Sequence, residues 1–211
     1  MTVTLSRLYD DPVAAHRAVM DLEVSGIPSA DISIVSSNAD QTYRSDSKMA
    51  RKVDRDLDGV DDRAEGAGAG AGMGAVLGGT AGLLAGLGLM AIPGLGPVVA
   101  AGWLAATATG AVAGGAAGGI IGALTQAGVP KKDAELYAEG VRRGGTLVTA
   151  SVPDGHRARC EAIMDQAAIN IREREQSYRE AGWSGFDPAA KPYSADEIRT
   201  EREIYRERTL R

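Results

Sequence analysis

The sequence predicts an α+β fold, and three observations lead to this expectation. Short β-α-β patterns lie near each end of the chain, at residues 2–36 and 145–175. Between them, the stretch from Gly66 to Val129 contains no charged side chain. Glycines recur at every fourth position from Gly66 to Gly86 and again from Gly102 to Gly122, where Ala106 fills the one gap. The final stretch mixes arginine and glutamate. The terminal patterns indicate a small sheet with helices, whereas a four-residue spacing places glycines on one face of an α-helix.

The first β-α-β pattern occupies residues 1–36. Residues 2–9 alternate between apolar and polar side chains, which is typical of a half-buried strand. Asp10 or Asp11 then caps a helix that has Pro12 in its first turn, and a Gly-Ile-Pro sequence at residues 26–28 ends it. The aliphatic residues at 31–36 predict a second strand.

The second pattern lies in residues 131–176. A helix at 131–143 leads into a strand at 145–152, and a Pro-Asp-Gly turn opens a helix at 156–168. Residues 170–175 are expected to form a short edge strand. Two such halves, 1–36 and 131–176, make the βαββαβ arrangement of a ferredoxin-like sandwich. The intervening residues then form a long insertion between strands two and three, which the slow growth of loop-closure entropy tolerates.

The insertion divides into an acidic linker at 37–65 and an uncharged tract at 66–129, which we expect to form a glycine-zipper α-helical hairpin. Its turn contains Pro93, Gly94, Gly96 and Pro97. Glycines on one helix face let two helices approach closely, as in membranes. The helix-packing positions are Gly70, Gly74, Gly78, Gly82 and Gly86 in the first helix, and Gly102, Gly110, Gly114, Gly118 and Gly122 in the second.

The environment of this hairpin follows from the cost of glycine. In water, each interior glycine disfavours a helix by about 1 kcal/mol relative to alanine. A bilayer compensates because unpaired backbone amides are very unfavourable in lipid. Membrane insertion is therefore favoured. A soluble hairpin packed within an oligomer and a disordered low-complexity tract remain as alternatives.

Composition limits the possible partners. The net charge of −5 gives no general attraction to nucleic acid. The single cysteine, Cys160, excludes an internal disulfide and fits a reducing compartment. The first residues show no basic-then-apolar signal pattern. We expect an α/β domain in the cytoplasm, associated with the inner membrane through the tract. Membrane lipid and a second copy of the chain are the expected partners.

Few residues suggest chemistry at a site. The acidic linker matches the spacing of a calcium loop, with Asp54, Asp56, Asp58 and Glu65 as the potential ligands. An aspartate stands where such loops place an aliphatic anchor, so a solvated acidic linker is the favoured interpretation and no metal site is predicted. Arg142 and Arg143, next to two glycines, suit either a phosphate or lipid headgroup or a solvated helix end. No catalytic residue, cofactor or small-molecule substrate is predicted.

The tail, residues 177–211, has its own character. An aromatic segment at 182–188 is expected to pack back on the domain. Ser194 and Glu197 form a capping box that opens a helix reaching about Leu210. Arginine and glutamate are nearly balanced in this helix, which predicts a solvated or partner-facing surface.

Several segments together resemble one known family. They are the opening strand-helix-strand, the acidic linker at 54–65, the run Gly-Leu-Leu-Ala-Gly-Leu-Gly with the following Ala-Ile-Pro-Gly-Leu-Gly-Pro-Val-Val-Ala-Ala-Gly-Trp, the segment Tyr-Ala-Glu-Gly-Val-Arg-Arg-Gly-Gly-Thr-Leu-Val from residue 137, and Gly-Trp at 182–183. In order and composition the chain resembles bacterial general stress proteins of the heat-induced, YflT-like domain family, also labelled low-temperature-induced proteins. The similarity covers most of residues 2–190 and carries no catalytic residues.

The resemblance implies a stress-linked protein that is membrane-associated or self-assembling. Together with the residues, it predicts a non-enzymatic function in which the glycine-zipper hairpin inserts in the membrane or mediates self-assembly. Two alternatives remain: a soluble ring, shell or filament packed through the glycine-rich helices, and a sensor regulated by a ligand or by calcium.

Overall fold

The computed structural model describes residues 1–39, 88–92, 94–107 and 119–209. These residues form a mixed α+β structure, which confirms the fold class. The strands are β1 (Thr2–Tyr9), β2 (Ile32–Ser37), β3 (Gly88–Ile92), β4 (Gly96–Gly102) and β5 (Thr146–Pro153). The longer helices are α1 (Pro12–Val24), α2 (Gly119–Gln126), α3 (Lys131–Arg142), α4 (Arg157–Met164), α5 (Ile171–Glu180) and α6 (Ala195–Thr209).

The described strands form one sheet in the order β1-β5-β2-β4-β3, and every neighbouring pair is antiparallel. β1 and β2 are therefore parallel to each other, with β5 inserted between them. Helix α1 connects β1 to β2, so the first β-α-β pattern is a split unit that needs the distant strand β5 to complete it. The predictions for β1, α1, β2 and β5 are confirmed.

Helix α1 begins as the sequence predicts. Asp11 is the residue that caps it: its carboxylate accepts a hydrogen bond from the backbone N–H of Val13 at 2.9 Å, and Pro12 occupies the first turn. Such a cap stabilises a helix by about 1 kcal/mol. The helix ends at Val24, and Gly26 follows the C-cap with a φ of +98°, which suits glycine better than other residues.

Helices α1 and α4 cover the first face of the sheet. The core between them is aliphatic, and its central residues are completely buried. Cys160 belongs to this core as a small buried thiol. Tyr9 donates its phenolic hydrogen to the carbonyl of Met164, so the polar end of this ring is satisfied inside the core. The buried members include Val19, Leu22, Ile32, Ile34, Val148, Ala150, Val152 and Met164.

Helices α2 and α3 cover the second face of the sheet. Helix α3 directs Ala134, Tyr137 and Val141 into a core that also contains Leu147 of β5. The Tyr137 hydroxyl donates to the carbonyl of Ser6 at 2.9 Å. The remaining buried members come largely from the uncharged tract: Ile92, Leu95, Val98, Ala100, Leu104, Ile120, Ala123 and Leu124. A two-layer sandwich would leave this face open, whereas here α3 and part of the insertion cover it.

The helical hairpin predicted over 66–129 is wrong in its described central part. Residues 88–92 and 96–102 are strands β3 and β4, which extend the sheet beyond β2. Val98 and Val99 are fully buried, as expected for β-branched residues in a strand covered on both faces. Glycine spacing favours a helix face only when no sheet edge competes for the same backbone groups. Here β2 offers such an edge, and β4 pairs with it.

The edge strand predicted at 170–175 is also wrong. Asn170 instead caps helix α5, accepting hydrogen bonds from the backbone N–H groups of Arg172 and Glu173. The chain crosses the open edge of β1 at Ile169, whose N–H donates to the carbonyl of Leu8 at 2.8 Å. The strand that would complete a ferredoxin-like sheet beside β1 is therefore replaced by a crossing segment.

The tail packs on the side of α3 that faces away from the sheet. Leu136 of α3, Tyr178 of α5 and Tyr205 of α6 form a small third cluster, in which Tyr178 meets Tyr205 edge to face. The capping box is confirmed, because Glu197 accepts from both the backbone N–H and the hydroxyl of Ser194. The solvated or partner-facing surface predicted for α6 is found on one side only, since Ile198 and Tyr205 are buried while Glu203 is exposed.

Candidate functional site

The turn between β3 and β4 is built from glycines of the uncharged tract. The N–H of Leu95 donates to the carbonyl of Ile92 at 3.0 Å. Gly94 and Gly96 have φ values of +77° and +84°, in the left-handed region where a side chain is disfavoured. Pro97 follows Gly96 within β4 and is exposed. The predicted turn at these residues is therefore present, but it connects two strands instead of two helices. Pro93 lies outside the described residues.

The tail lies directly against this turn. A Cβ atom added at Gly94 would stand 2.8 Å from the Cα of Pro188, and one added at Gly96 would stand 2.8 Å from the Cβ of Pro192. Both distances are shorter than real Cβ contacts. The glycines therefore serve two purposes here, because they permit the turn geometry and they allow the tail to approach the backbone.

The end of β4 shows another close approach. Gly102 has a φ of +84°, and an added Cβ would lie 2.1 Å from the carbonyl oxygen of Ile32. The hydroxyl of Ser33 then accepts from the N–H of Leu104 at 2.9 Å, at the start of the helical residues 103–107. Gly102 is thus a strand-to-helix junction rather than a position on a helix face.

The described residues show no close helix packing at the other predicted glycines. Gly122 lies in α2, but a Cβ added there would find no atom within 4 Å, so this position faces open space. The remaining predicted positions lie outside the described residues: Gly70, Gly74, Gly78, Gly82, Gly86, Gly110, Gly114 and Gly118.

A buried ionic cluster joins α3 to the tail. Glu139 is completely buried in the middle of α3. Its Oε1 accepts hydrogen bonds from Arg142 Nη2 at 2.8 Å and from Arg143 Nε at 2.6 Å. Arg143 also donates through Nη1 to Glu201 of α6 at 2.9 Å. Burying this carboxylate would be unfavourable without its two arginine partners.

Burial and neighbouring charges set the pKa values of Arg143 and Tyr193 in this cluster. Burial alone would lower the pKa of Arg143, but the hydrogen bond and charge of Glu139, assisted by Glu201, outweigh burial and raise that pKa. Burial raises the pKa of the neighbouring Tyr193, against the opposing charge of Arg143. Arg143 therefore stays charged and Tyr193 stays neutral, so ion pairs stabilise the cluster.

Aromatic rings of the tail enclose the two arginines. The guanidinium carbon of Arg143 lies 4.3 Å from the ring centre of Tyr178 and 5.4 Å from that of Tyr193. The guanidinium carbon of Arg142 lies 5.5 Å from the Tyr193 ring centre and 5.8 Å from that of Phe186. Each such contact contributes about 0.5–2 kcal/mol, with the larger values for desolvated pairs. The prediction that the aromatic segment packs back on the domain is confirmed.

A second arginine site ties α5 to β1 and α6. Arg174 binds the carboxylate of Asp10 through two hydrogen bonds of 3.0 and 2.6 Å. Its guanidinium carbon lies 3.5 Å from the ring centre of Tyr205. At Gly144, the guanidinium of Arg202 donates to the backbone carbonyl at 2.9 Å. Arg174 of α5 and Arg202 of the tail are therefore directed into the protein at these points.

The interpretation of Arg142 and Arg143 as a solvated helix end is wrong, because both side chains are nine-tenths buried. Sequence reasoning missed their partners. Glu139 and Arg143 are separated by four residues, a spacing that brings side chains together on a helix. That spacing was a usable signal. The pairing with Glu201 crosses more than fifty residues and leaves no local pattern.

The residues that match a calcium-loop spacing, and the helices that could span a membrane, can be compared with the described residues. Asp54, Asp56, Asp58 and Glu65 lie outside the described residues. In the part of the chain that the structure describes, no group of acidic, histidine or cysteine side chains is arranged to hold a metal. Among those same residues, no helix combines the length and apolar character required to cross a bilayer.

Comparison with known proteins gives no match, whether with protein-family models, with curated proteins or with solved structures.

Proposed function

We propose that this is a non-enzymatic protein in which an α+β domain carries the uncharged glycine-rich tract as its region of self-association and membrane association. The observation that carries the proposal is that β3, β4 and α2, all from this tract, pack into the domain. The uncharged residues that precede β3 and follow β4 in the sequence are therefore connected to strands of the sheet. Any assembly that they form, with lipid or with a second copy, is coupled directly to the sheet.

The architecture supports a partly ferredoxin-like arrangement of the domain. The order β1-β5-β2, with α1 and α4 on the same face, corresponds to three strands and two helices of that arrangement. The hairpin β3–β4 is then an addition at the β2 edge. The resemblance to bacterial general stress proteins agrees with a binding or assembly function and remains a prediction.

Flotation of the full chain with phospholipid vesicles tests the membrane association. The diagnostic variant is G74L/G78L, which fills two positions of the four-residue glycine pattern. The matched control, G72L/G79L, adds the same two leucines on the opposite side of a helix with this spacing. We expect the wild type and the control to float and the diagnostic variant to lose flotation. A wild-type protein that stays at the bottom of the gradient with every lipid mixture contradicts the proposal.

A soluble homo-oligomer is the second candidate, and the position of β3 favours it. In the described part of the sheet, β3 is an outer strand that pairs only with β4. Outer strands present unpaired backbone groups that can pair with another chain. The exposed Ala91 lies in this strand. We expect Ala91→Lys to reduce the oligomeric mass measured by light scattering in the absence of detergent. An unchanged mass excludes pairing through β3.

A further inference from the structure

One stretch of the tail touches both elements described above, and we call residues 186–193 the strap. Its Pro188 and Pro192 lie against the hairpin turn at Gly94 and Gly96. Its Phe186 and Tyr193 lie over Arg142, at the carboxyl end of α3. The strap therefore connects the glycine-rich hairpin to the buried arginines, and helix α6 follows it directly.

One side of helix α6, which follows the strap, packs on the residues at the end of α3. Ile198, Glu201, Arg202 and Tyr205 share a helix face because they are spaced by three and four residues. Ile198 packs so closely on Gly144 that an added Cβ there would lie 2.4 Å from its Cγ2. Glu201 accepts from Arg143, and Arg202 donates to Gly144. The opposite face of α6 is exposed at Glu203.

Beneath the strap and α6, the domain carries more positive than negative charge. Arg142 and Arg143 share one carboxylate, Glu139, within α3. The second carboxylate at Arg143 is supplied by the tail residue Glu201. In addition, Nε of Arg142 is buried and has no hydrogen-bond acceptor among the described residues. Without the tail, this end of α3 would present two arginines with one carboxylate between them, beside the apolar hairpin turn.

We infer that the tail covers a binding surface for anionic phospholipid, formed by Arg142, Arg143 and the hairpin turn, and that Glu201 takes the place of the lipid headgroup in the covered state. A basic and apolar surface of this kind is what an anionic bilayer surface binds. Headgroup phosphates match the guanidinium groups in charge and geometry. Release of the tail uncovers the arginines and loosens the hairpin at the same time. This inference deepens the proposed membrane association and rests on it.

Charge reversal on α6 provides the main test. Glu201→Arg places a third guanidinium beside Arg143 and should displace the tail. Glu203→Arg makes the same change of net charge on the exposed face of the same helix and is the matched control. Ile198→Ala loosens α6 at Gly144 without any change of charge, so it separates tail release from net charge. A double variant, E201R/R143Q, removes one of the arginines that should bind lipid.

Hydrogen exchange reports tail release without lipid. We expect E201R and I198A to speed amide exchange in β3 and β4, while β1 and β5 exchange as in the wild type. The control E203R should leave both regions unchanged. Equal acceleration in β1 and β5 would indicate global destabilisation, and unchanged exchange in β3 and β4 would show that the tail does not hold the hairpin. Either result overturns the inference.

Co-sedimentation with vesicles reports the binding surface. The vesicles are phosphatidylcholine alone, or phosphatidylcholine with phosphatidylglycerol, at low salt. We expect E201R and I198A to bind the anionic vesicles more tightly than wild type, by about fivefold for each arginine that reaches the surface. The added R143Q should reverse most of this gain. Equal gains for E203R and E201R would reduce the effect to net charge and overturn the inference, as would faster hairpin exchange without anionic-vesicle binding.

The failures of the two proposals are distinguishable. Wild-type protein that floats with neutral vesicles, combined with E201R and I198A variants that gain nothing on anionic vesicles, refutes the covered lipid surface and leaves the association through the glycine-rich tract standing. Wild-type protein that never floats, combined with variants that bind only anionic vesicles, refutes the tract and supports the surface. Inorganic phosphate that competes with the vesicles at millimolar concentration indicates a free-anion site and overturns the assignment to a bilayer.

Discussion

The two faces of the sheet are covered in different ways. The first face is packed by α1 and α4 with an aliphatic core, and its elements form two short stretches of sequence. The second face is packed by α2 and α3, and behind α3 lies a buried cluster of Glu139, Arg142, Arg143 and tail aromatics. The first face shows how far local hydrophobic patterns can specify a structure. The second face depends on ion pairs and close backbone approaches between distant segments.

The largest effect is expected on the second face, at the buried carboxylate. Glu139→Gln removes the negative charge that both arginines share, so we expect a loss of unfolding free energy of about 3 kcal/mol. Urea denaturation measures this loss. Glu135→Gln on the same helix is the control, since its partner Lys131 is largely exposed, and it should cost no more than about 0.5 kcal/mol. Similar losses of unfolding free energy in both variants would show that the buried ion pairs of Glu139 stabilise the protein no more than the exposed pair of Glu135.

On the first face, a cavity in the aliphatic core should have a comparable but slightly smaller effect. Leu22 is fully buried in α1, and Leu22→Ala should destabilise the protein by about 2–3 kcal/mol through lost burial and an unfilled cavity. Met20 on the same helix is partly exposed, so Met20→Ala should change stability by about 0.5 kcal/mol or less. Thermal melting of the two variants makes the comparison. A loss in L22A that is matched by M20A would contradict the assigned core.

The strap contact at the hairpin turn should contribute less. Gly94→Ala combines an unfavourable φ with a clash at Pro188, and we expect a cost of about 2 kcal/mol. Gly26→Ala has a similarly positive φ with no neighbour within 4 Å, so it reports the backbone cost alone, about 1 kcal/mol. The difference between the two variants measures the contact between turn and tail. Equal costs would place the strap away from the turn.

The smallest effect carries the opposite sign. Gly122 lies inside α2 and faces open space, so Gly122→Ala should stabilise the protein by up to about 1 kcal/mol, by the helix propensity of alanine. A glycine that packs against another helix would be damaged by the added methyl group. A lower melting temperature for G122A would therefore restore the helix-packing prediction at this position.

Most of the first face could be predicted from residue patterns. The alternation in β1, the aspartate and proline at the start of α1, and the strand expected at 145–152 and found at 146–153 were predicted correctly because each signal lies within about ten residues. The capping box at Ser194 and Glu197 belongs to the same class. The misreading at Asn170 has a local cause as well, since a short segment with mixed pattern suits an edge strand or a helix start equally well.

The second face was predicted poorly because its signals are not local. The uncharged tract has the glycine spacing of packed helices, yet residues 96–102 form a strand along the edge of β2, and residues 88–92 form a strand that pairs with it. For the tail, the error concerned burial. Its balanced charge indicated solvation, but Glu201 reaches Arg143 from another part of the chain.

By itself, the sequence determined the α+β class, the first β-α-β unit, the strand that completes it, and the limits of the charge-free tract. These follow from side-chain period, capping residues and composition, which act over one or two helical turns. Only the tertiary structure decided that part of the tract joins the sheet and that a charged helix is buried along one side. Strand pairing and ion-pair burial depend on which distant backbone or charge is within reach, and local sequence patterns do not show this.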